Sequence, residues 1–135
     1  MAEALLQAAL GQKFRVESAG FNALVDQPAD PEVERLLKVH GHDISRHRGR
    51  QWNTDLALGA DLILVMDEPQ KYLCEQSVPS VRGRVFLLGH WLTSPSKEIP
   101  DPFHLGSAIM HRTFKLIDQS VASWLPHLMH QQRSV

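Results

Sequence analysis

Two short apolar runs limit the possible folds of this 135-residue chain more than any other feature. Leu62–Met66 and Val85–Leu88 contain only apolar side chains, without the alternation of a strand that exposes one face to water. Such runs are typical of parallel strands that helices cover on both faces. After the first run, Glu68-Pro69 begins a helical pattern that continues to about Gln76, so a strand is followed by a helix.

Two further helices are predicted in the first third of the chain. Apolar residues with helical spacing begin at Met1 and stop before Gly11, a residue that commonly ends helices. Asp30-Pro31 has the residue types of a helix cap and a first helical position, and Gly41 is suited to end that helix. Both helices precede the first apolar run.

The remaining segments complete an alternating order of helices and strands. Alternating side chains predict a strand over Phe14–Ser18, and an amphipathic helix is predicted from Met110 to Leu128, which Pro126 should end or kink. The order α-β-α-β-α-β-α predicts an α/β fold, a three-layer open parallel sheet with helices on both faces. Because no linker or repeat divides the chain, we expect one domain over residues 1–135.

Composition argues against several other classes of protein. Fourteen Lys and Arg residues against fifteen Asp and Glu residues leave a net charge of −1, which predicts neither a nucleic-acid partner nor binding to anionic membranes. A single cysteine, Cys74, cannot form an intramolecular disulfide and fits a reducing compartment. Neither an 18-residue apolar run nor a signal-peptide pattern is present. We therefore expect a cytoplasmic protein without membrane insertion.

One acidic residue lies in a sequence suited to acid catalysis. Asp101 stands between Pro100 and Pro102, whose fixed φ angles stiffen the loop and hold the carboxylate in one direction. The loop follows the last predicted strand, at the end of the sheet where open α/β folds bind ligands. A general acid needs this kind of placement near its leaving group. The alternative is a plain turn with a capping aspartate.

Other candidate groups are weaker. Cys74 lies beyond the first turn of its predicted helix and is expected to be a small packed residue rather than a nucleophile. His40, His42 and His47 match no metal-binding spacing, so we expect no metal and no cofactor. The basic run Arg46–Arg50 has the charge to bind phosphate but no interleaved aromatic residues, and a solvated loop is the favoured alternative.

Seven blocks of sequence, taken in order, carry a family resemblance that covers nearly the whole chain. They are Met1–Leu6, Val16–Phe21, Pro28–Pro31, Ile44–His47 with Arg50–Gln51, Ala60–Glu68, Gly83–Trp91 and Ile99–Phe103. Together they resemble the low-molecular-weight protein tyrosine phosphatases, especially the bacterial kind paired with tyrosine kinases of exopolysaccharide export. The resemblance implies a four-stranded parallel sheet with helices on both sides.

The resemblance also implies roles for five residues. Asp101 corresponds to the general acid of the family's Asp-Pro-aromatic loop. Ser18 and His47 correspond to residues that brace the phosphate loop through hydrogen bonds. Leu24 and Phe103 correspond to positions that flank the phosphotyrosine ring. A slot for an aromatic ring needs apolar walls, with polar groups only at the phosphate end.

The chain departs from the family in one essential segment. Family members begin with a strand that runs into Cys-x5-Arg-Ser-Pro, but the only cysteine here is Cys74, and the position where the arginine would stand is Ser80. The resemblance therefore implies a chain that begins just after this motif, from a start codon at an internal Met, without nucleophile or phosphate-binding arginine. The missing strand would be central, between Phe14–Ser18 and Leu62–Met66. Unpaired backbone there would make a marginal fold.

The resemblance leads to one main functional hypothesis and two alternatives. In the main hypothesis the complete gene product hydrolyses phosphotyrosine on proteins through a cysteinyl-phosphate, and the 135-residue chain alone is inactive. A bacterial tyrosine autokinase is the expected partner. The first alternative is a non-catalytic pseudophosphatase that binds a kinase tail or a catalytic relative. The second, an arsenate reductase of the same fold, needs further cysteines that Cys74 alone does not supply.

Overall fold

The structure is a computed structural model that describes residues 1–23, 25–103 and 105–133. Its regular elements are, in chain order, α1 (Ala2–Leu10), α2 (Pro31–Val39), α3 (Thr54–Gly59), β1 (Ile63–Val65), α4 (Glu68–Ser77), a short 3-10 turn (Pro79–Val81), β2 (Val85–Leu87) and α5 (Ser107–Arg133).

The two apolar runs form a parallel pair of strands, as their sequence predicts. Ile63 lies opposite Val85, and Val65 lies opposite Leu87. The backbone N–H of Leu88 extends the pairing by donating to the carbonyl of Val65 at 2.7 Å. Helix α4 makes the crossover between the strands, as a parallel connection requires. This mixture of helix and parallel sheet confirms the α/β class.

The predicted strand over Phe14–Ser18 is wrong, because this segment forms no strand and pairs with none in the part of the chain that the structure describes. The Gln7 carboxamide bonds to it instead, donating to the Phe14 carbonyl at 2.8 Å and accepting the Val16 N–H at 3.1 Å. In a parallel sheet, one residue of the neighbouring strand would bond to these same two groups, the Phe14 carbonyl and the Val16 N–H. Alternation of side chains does not by itself supply the backbone partner that a strand needs.

Two helices also differ from the sequence expectation. Helix α3 was not predicted, because six residues are too short for a clear period; its start is capped by Asn53, whose side chain accepts the Leu56 N–H at 2.9 Å. Pro126 lies inside α5 and does not end it. Just before this position the helix packs on the core: Val121 and Trp124 are buried, and the Trp124 indole donates to the Leu88 carbonyl at 2.8 Å.

Other helix ends agree with the sequence. Asp30 caps α2 by accepting the Glu32 N–H at 2.8 Å, with proline at the first helical position. Gly11 follows α1 with a φ of 76°, and Gly41, just past α2, has a φ of 86°. Side chains other than glycine rarely adopt such values, so both glycines suit the chain reversals that they make.

Two apolar clusters form the core. The first packs α1 and α2 against α5 and takes in Leu88 and Ile99 from the segment after β1 and β2. The second lies around the sheet and α4. Its buried members are Ala57, Ile63, Val65, Cys74, Val78, Val81, Val85 and Leu87. The loop that carries Asp101 therefore begins, at Ile99, from the first cluster.

Candidate active-site half

Asp101 lies in a tight turn whose geometry its own side chain helps to set. Its Oδ1 accepts the backbone N–H of Phe103 at 3.0 Å, and prolines flank it on both sides. Asp101 is exposed, and the Phe103 side chain is 51% exposed. The turn thus has the capping aspartate of the plain alternative and also presents an acid and an aromatic ring to solvent.

The residues just before this turn are attached to the junction of β1 and α4. The Ile99 N–H donates to the Met66 carbonyl at 2.8 Å, and Ile99 is buried. Glu98 Oε2 accepts the N–H of Glu68, the first residue of α4, also at 2.8 Å. These contacts hold the turn at the carboxyl end of β1, the end at which open α/β sheets bind ligands.

The loop between β2 and the turn folds back on itself. Gly89 approaches the Lys97 carbonyl so closely that any side chain at that position would collide with it. The Lys97 ammonium in turn donates to the Leu92 carbonyl. Glycine is needed at position 89 for this close backbone approach, not for an unusual φ. The loop can therefore follow this path to Glu98 only with glycine at position 89.

A second group of polar side chains gathers around Glu3 in the first turn of α1. Ser18 Oγ donates to Glu3 Oε1 at 3.1 Å, and His47 Nδ1 lies 3.2 Å from Glu3 Oε2. Ser18 and His47, which the resemblance pairs by role, therefore share one carboxylate. Sequence reasoning assigned no role to Glu3, although an acid in a first helical turn is favoured by the helix dipole.

The Glu3 group borders an open groove of about 430 Å³. Its lining includes the apolar Val16 and the charged Asp43 and Arg46. Hydrogen bonds from Ser45 lower the pKa of Asp43, so this carboxylate is charged at neutral pH. The lining of the groove thus offers a cation, two carboxylates and two imidazoles, but no thiol.

No hydrogen bond or ion pair within residues 1–23, 25–103 and 105–133 joins the Asp101 turn to the Glu3 group. Leu24, assigned by resemblance to the substrate wall, lies outside the described residues. The assignments of Asp101, Phe103, Ser18 and His47 therefore stay predictions.

Cys74 has the environment of a structural residue. Its side chain belongs to the second core cluster and is 1% exposed. Burial, with a smaller contribution from the charge of Glu75, raises the pKa of the thiol to about 11. A thiol with this pKa is almost wholly protonated at neutral pH and is a poor nucleophile. This confirms the prediction that Cys74 is a packed residue.

His40 and two arginines of the basic run have structural partners. His40 stacks on Phe114 with ring centroids 4.3 Å apart. Arg48 donates to the Ser45 and His47 carbonyls, and Arg50 to the Ser18 carbonyl. Among the described residues, no group of three or more His, Cys, Asp or Glu side chains is arranged to hold a metal ion.

None of the helices in the described part of the chain has the length and apolar character needed to cross a membrane. This includes α5, although its 27 residues would be long enough.

Comparison with known proteins assigns the family. The model of the low molecular weight phosphotyrosine protein phosphatases matches residues 1–134. A relative from Acinetobacter johnsonii, a low molecular weight protein-tyrosine-phosphatase named Ptp, is 37% identical over 95% of this chain and 87% of its own length. The phosphatase Wzb of Escherichia coli K12 is 36% identical over 97% of this chain and 87% of its own length.

Solved structures agree with this assignment. The tyrosine phosphatase Wzb from E. coli K30, in complex with sulphate, superposes with a TM-score of 0.88 at 35% identity, covering 94% of this chain and 87% of that one. The tyrosine phosphatase amsI from Erwinia amylovora also gives 0.88, at 31% identity, covering 93% and 82%. The chain belongs to the low molecular weight phosphotyrosine protein phosphatase family.

Proposed function

We propose that this chain carries the acid-base part of a phosphotyrosine phosphatase site, with Asp101 as general acid and base. The observation that carries the proposal is the exposed Asp101, held at the carboxyl end of β1 in a proline-flanked turn beside an exposed aromatic ring. Family membership supports phosphotyrosine proteins as the substrate class. Phe103 would then form one wall beside the substrate ring.

The reaction has two displacement steps. A thiolate from a Cys-x5-Arg segment attacks phosphorus, so an S–P bond forms and the P–O bond to tyrosine breaks. Asp101 gives its proton to the departing tyrosine oxygen. The Asp101 carboxylate then takes a proton from water as the water attacks phosphorus, and the S–P bond breaks to release phosphate and the thiolate.

Residues 1–135 supply no nucleophile for the first step. They contain no Cys-x5-Arg sequence, and their one thiol, that of Cys74, is buried with a pKa of about 11. We therefore propose that these 135 residues alone do not hydrolyse aryl phosphates. Ser18 and His47 are proposed to brace the phosphate loop of a Cys-x5-Arg segment, and their shared hydrogen bonding to Glu3 supports a common role.

The test compares the 135-residue chain with the same chain joined, before Met1, to a strand and Cys-x5-Arg-Ser-Pro segment of roughly 15 residues. We expect no turnover of phenyl phosphate by the chain itself and clear turnover by the joined protein. A Cys→Ser change in the added motif is the control for a contaminating phosphatase. Turnover by purified residues 1–135 would contradict the proposal.

Asp101 is tested in the joined protein through its dependence on the leaving group. Asp101→Asn should lower kcat for phenyl phosphate by about 10²–10⁴-fold, the usual contribution of a general acid. The loss should be much smaller for p-nitrophenyl phosphate, whose leaving group needs little protonation. Asp118→Asn, a change on exposed α5 surface, is the matched control. Equal losses on both substrates would argue against general acid catalysis by Asp101.

The buried thiol also favours a second candidate, a non-catalytic module that binds a tyrosine kinase tail or a catalytic relative. This candidate requires residues 1–135 to fold on their own. A sharp thermal transition of the purified chain supports it, and an aggregating chain argues against it. The same buried thiol argues against an arsenate reductase, which would need reactive cysteines. A cytoplasmic location and a bacterial tyrosine autokinase as partner remain part of the proposal.

A further inference from the structure

The Glu98 side chain connects the start of α4 to the Asp101 turn, here also called the acid turn, although the resemblance assigns Glu98 no role. We propose that Glu98 is a positioning residue for Asp101, and that its carboxylate fixes the Pro100–Pro102 turn by accepting the hydrogen bond of the Glu68 N–H. This inference rests on the proposed role of Asp101 as general acid. Glu98 itself would not touch substrate.

The first argument is the order of attachments along the chain. Glu98 bonds to Glu68 and Ile99 bonds to Met66, each at 2.8 Å, so two consecutive residues are attached to the β1–α4 junction. The next residue, Pro100, has no N–H and cannot donate a third bond. The Glu98 side chain and the Ile99 N–H are therefore the last hydrogen bonds to this junction before Asp101.

The second argument is the chemistry of the helix start. The first amides of α4 have no partner inside the helix and carry partial positive charge. Asp67 accepts the Gln70 N–H at 2.9 Å, whereas the Glu68 N–H is bonded by Glu98, 30 residues away in sequence. A charged acceptor at such an amide makes a stronger hydrogen bond than a neutral one. Capping the start of α4 in this way also attaches the distant loop to the helix.

The third argument is that hydrogen bonds join Asp101 and Pro102 to the residues that follow them in the turn. The Phe103 N–H is held by Asp101 Oδ1 at 3.0 Å, and the Leu105 N–H by the Pro102 carbonyl at 3.1 Å. Both bonds lie within the turn. The Asp101 carboxylate is therefore part of a hydrogen-bonded turn whose start Glu98 and Ile99 attach to the β1–α4 junction.

The test is residue-resolved amide hydrogen exchange on the full 135-residue chain. We expect Glu98→Ala to speed exchange of the Ile99 and Phe103 amides by about tenfold, as for loss of one charge-assisted hydrogen bond. Glu98→Gln retains an oxygen acceptor and should restore most of the protection. Amides in the middle of α5, such as Ile117, report global unfolding and should not change.

The matched control is Glu68→Gln, because Glu68 lies in the same first turn of α4 but its side chain makes no hydrogen bond among the described residues. It removes the same charge from the same helix end and should leave the amides of Ile99 and Phe103 unchanged. If Glu68→Gln matches the effect of Glu98→Ala, the effect is one of charge alone, and the proposal is overturned.

Two other outcomes would also overturn the proposal. If Glu98→Ala speeds exchange only within α4, at Gln70 and Lys71, then Glu98 is a helix cap without influence on the turn. If the unmodified chain shows no protection at Ile99, the attachment does not order the loop. Neither result depends on catalysis, so failure here is distinct from failure of the leaving-group test on Asp101.

Discussion

Segments that were predicted as strands are held in different ways in the N-terminal region, residues 1–51 without Leu24, and in the C-terminal region, residues 62–133 without His104. In the C-terminal region, β1 and β2 pair through backbone groups. In the N-terminal region, Phe14 and Val16 are bonded by the side chain of Gln7. The comparison shows that a segment predicted as a strand becomes one only where another backbone lies beside it.

The contacts of the N-terminal region are more open to water. Its Phe14–Ser18 segment is held by Gln7, by Glu3 through Ser18, and by Arg50 through the Ser18 carbonyl, and these bonds are exposed or only part-buried. Water competes with exposed hydrogen bonds, which lowers their net contribution to stability. Backbone pairing in this region consists of isolated bridges such as that between Gly20 and Gln51.

The C-terminal region has a denser set of contacts. Val81, Val85 and Leu88 are almost completely buried, and the Trp124 indole of α5 bonds to the backbone just after β2. The two regions also divide the candidate site, because Asp101 follows the paired strands whereas the Glu3 group lies in the open groove.

The largest expected effect on the free energy of unfolding comes from removing a buried contact of the C-terminal region. Trp124→Ala should reduce the free energy of unfolding by about 3–5 kcal/mol, because a buried ring and its hydrogen bond to Leu88 are lost together. Chemical denaturation measures the change. Trp91→Ala is the control, since Trp91 is 43% exposed and stacks on His127, and it should cost much less. Equal losses would mean that Trp124 does not anchor this region.

A smaller effect on the free energy of unfolding is expected from removing a side-chain contact of the N-terminal region. Gln7→Ala should reduce the free energy of unfolding by about 1–3 kcal/mol, because it removes the hydrogen bonds to Phe14 and Val16. Hydrogen exchange at Val16 should increase while β1 keeps its protection. Gln76→Ala, an exposed change in α4, is the control. If Val16 exchange does not change, Gln7 does not act as the strand partner.

The contact between Glu3 and His47 should contribute less again. Both side chains are partly exposed and 3.2 Å apart, so a double-mutant cycle with Glu3→Gln and His47→Gln should give a coupling energy of about 0.5–1 kcal/mol. The coupling should fall in high salt, which screens partly exposed charges. A coupling that does not depend on salt would indicate a neutral hydrogen bond rather than an ion pair.

The ionisation of the Cys74 thiol has the smallest expected effect on stability at neutral pH. Because the folded chain raises the pKa of this thiol from 9.0 to about 11, the unfolded chain loses the proton first as pH rises. The contribution to stability is therefore complete below about pH 9 and is lost between about pH 9 and 11. Cys74→Ala should remove this part of the pH dependence in denaturation curves. An unchanged slope would contradict the raised pKa.

Much of the fold was predictable because local rules decide it. The apolar runs became β1 and β2, and Asp30-Pro31 and Glu68-Pro69 began helices where their residue types predict. The strand predicted over Phe14–Ser18 did not form, and the contact of this segment with the Gln7 side chain was not predicted. Pro126 was expected to end or kink its helix; it does not end it, because Pro126 lies inside α5, whose Val121 and Trp124 are buried.

The site was predictable in part for the same reason. The flanking prolines singled out Asp101 because they restrict the backbone locally. The joint contact of Ser18 and His47 with Glu3 links positions up to 44 residues apart, which no spacing rule connects. Glu98 could have been suspected only as an acid just before the Ile-Pro-Asp-Pro sequence; its partner at Glu68 required the structure.

By itself, the sequence determined the α/β class, the family, the stiff turn around Asp101 and the lack of a Cys-x5-Arg segment in these 135 residues. These properties depend on residue type, periodicity and near neighbours. Only the tertiary structure decided that Gln7 stands in for a strand, that Glu3 joins Ser18 to His47, and that Glu98 ties the acid turn to α4. Hydrogen bonds between distant segments depend on how the elements pack, which local sequence does not encode.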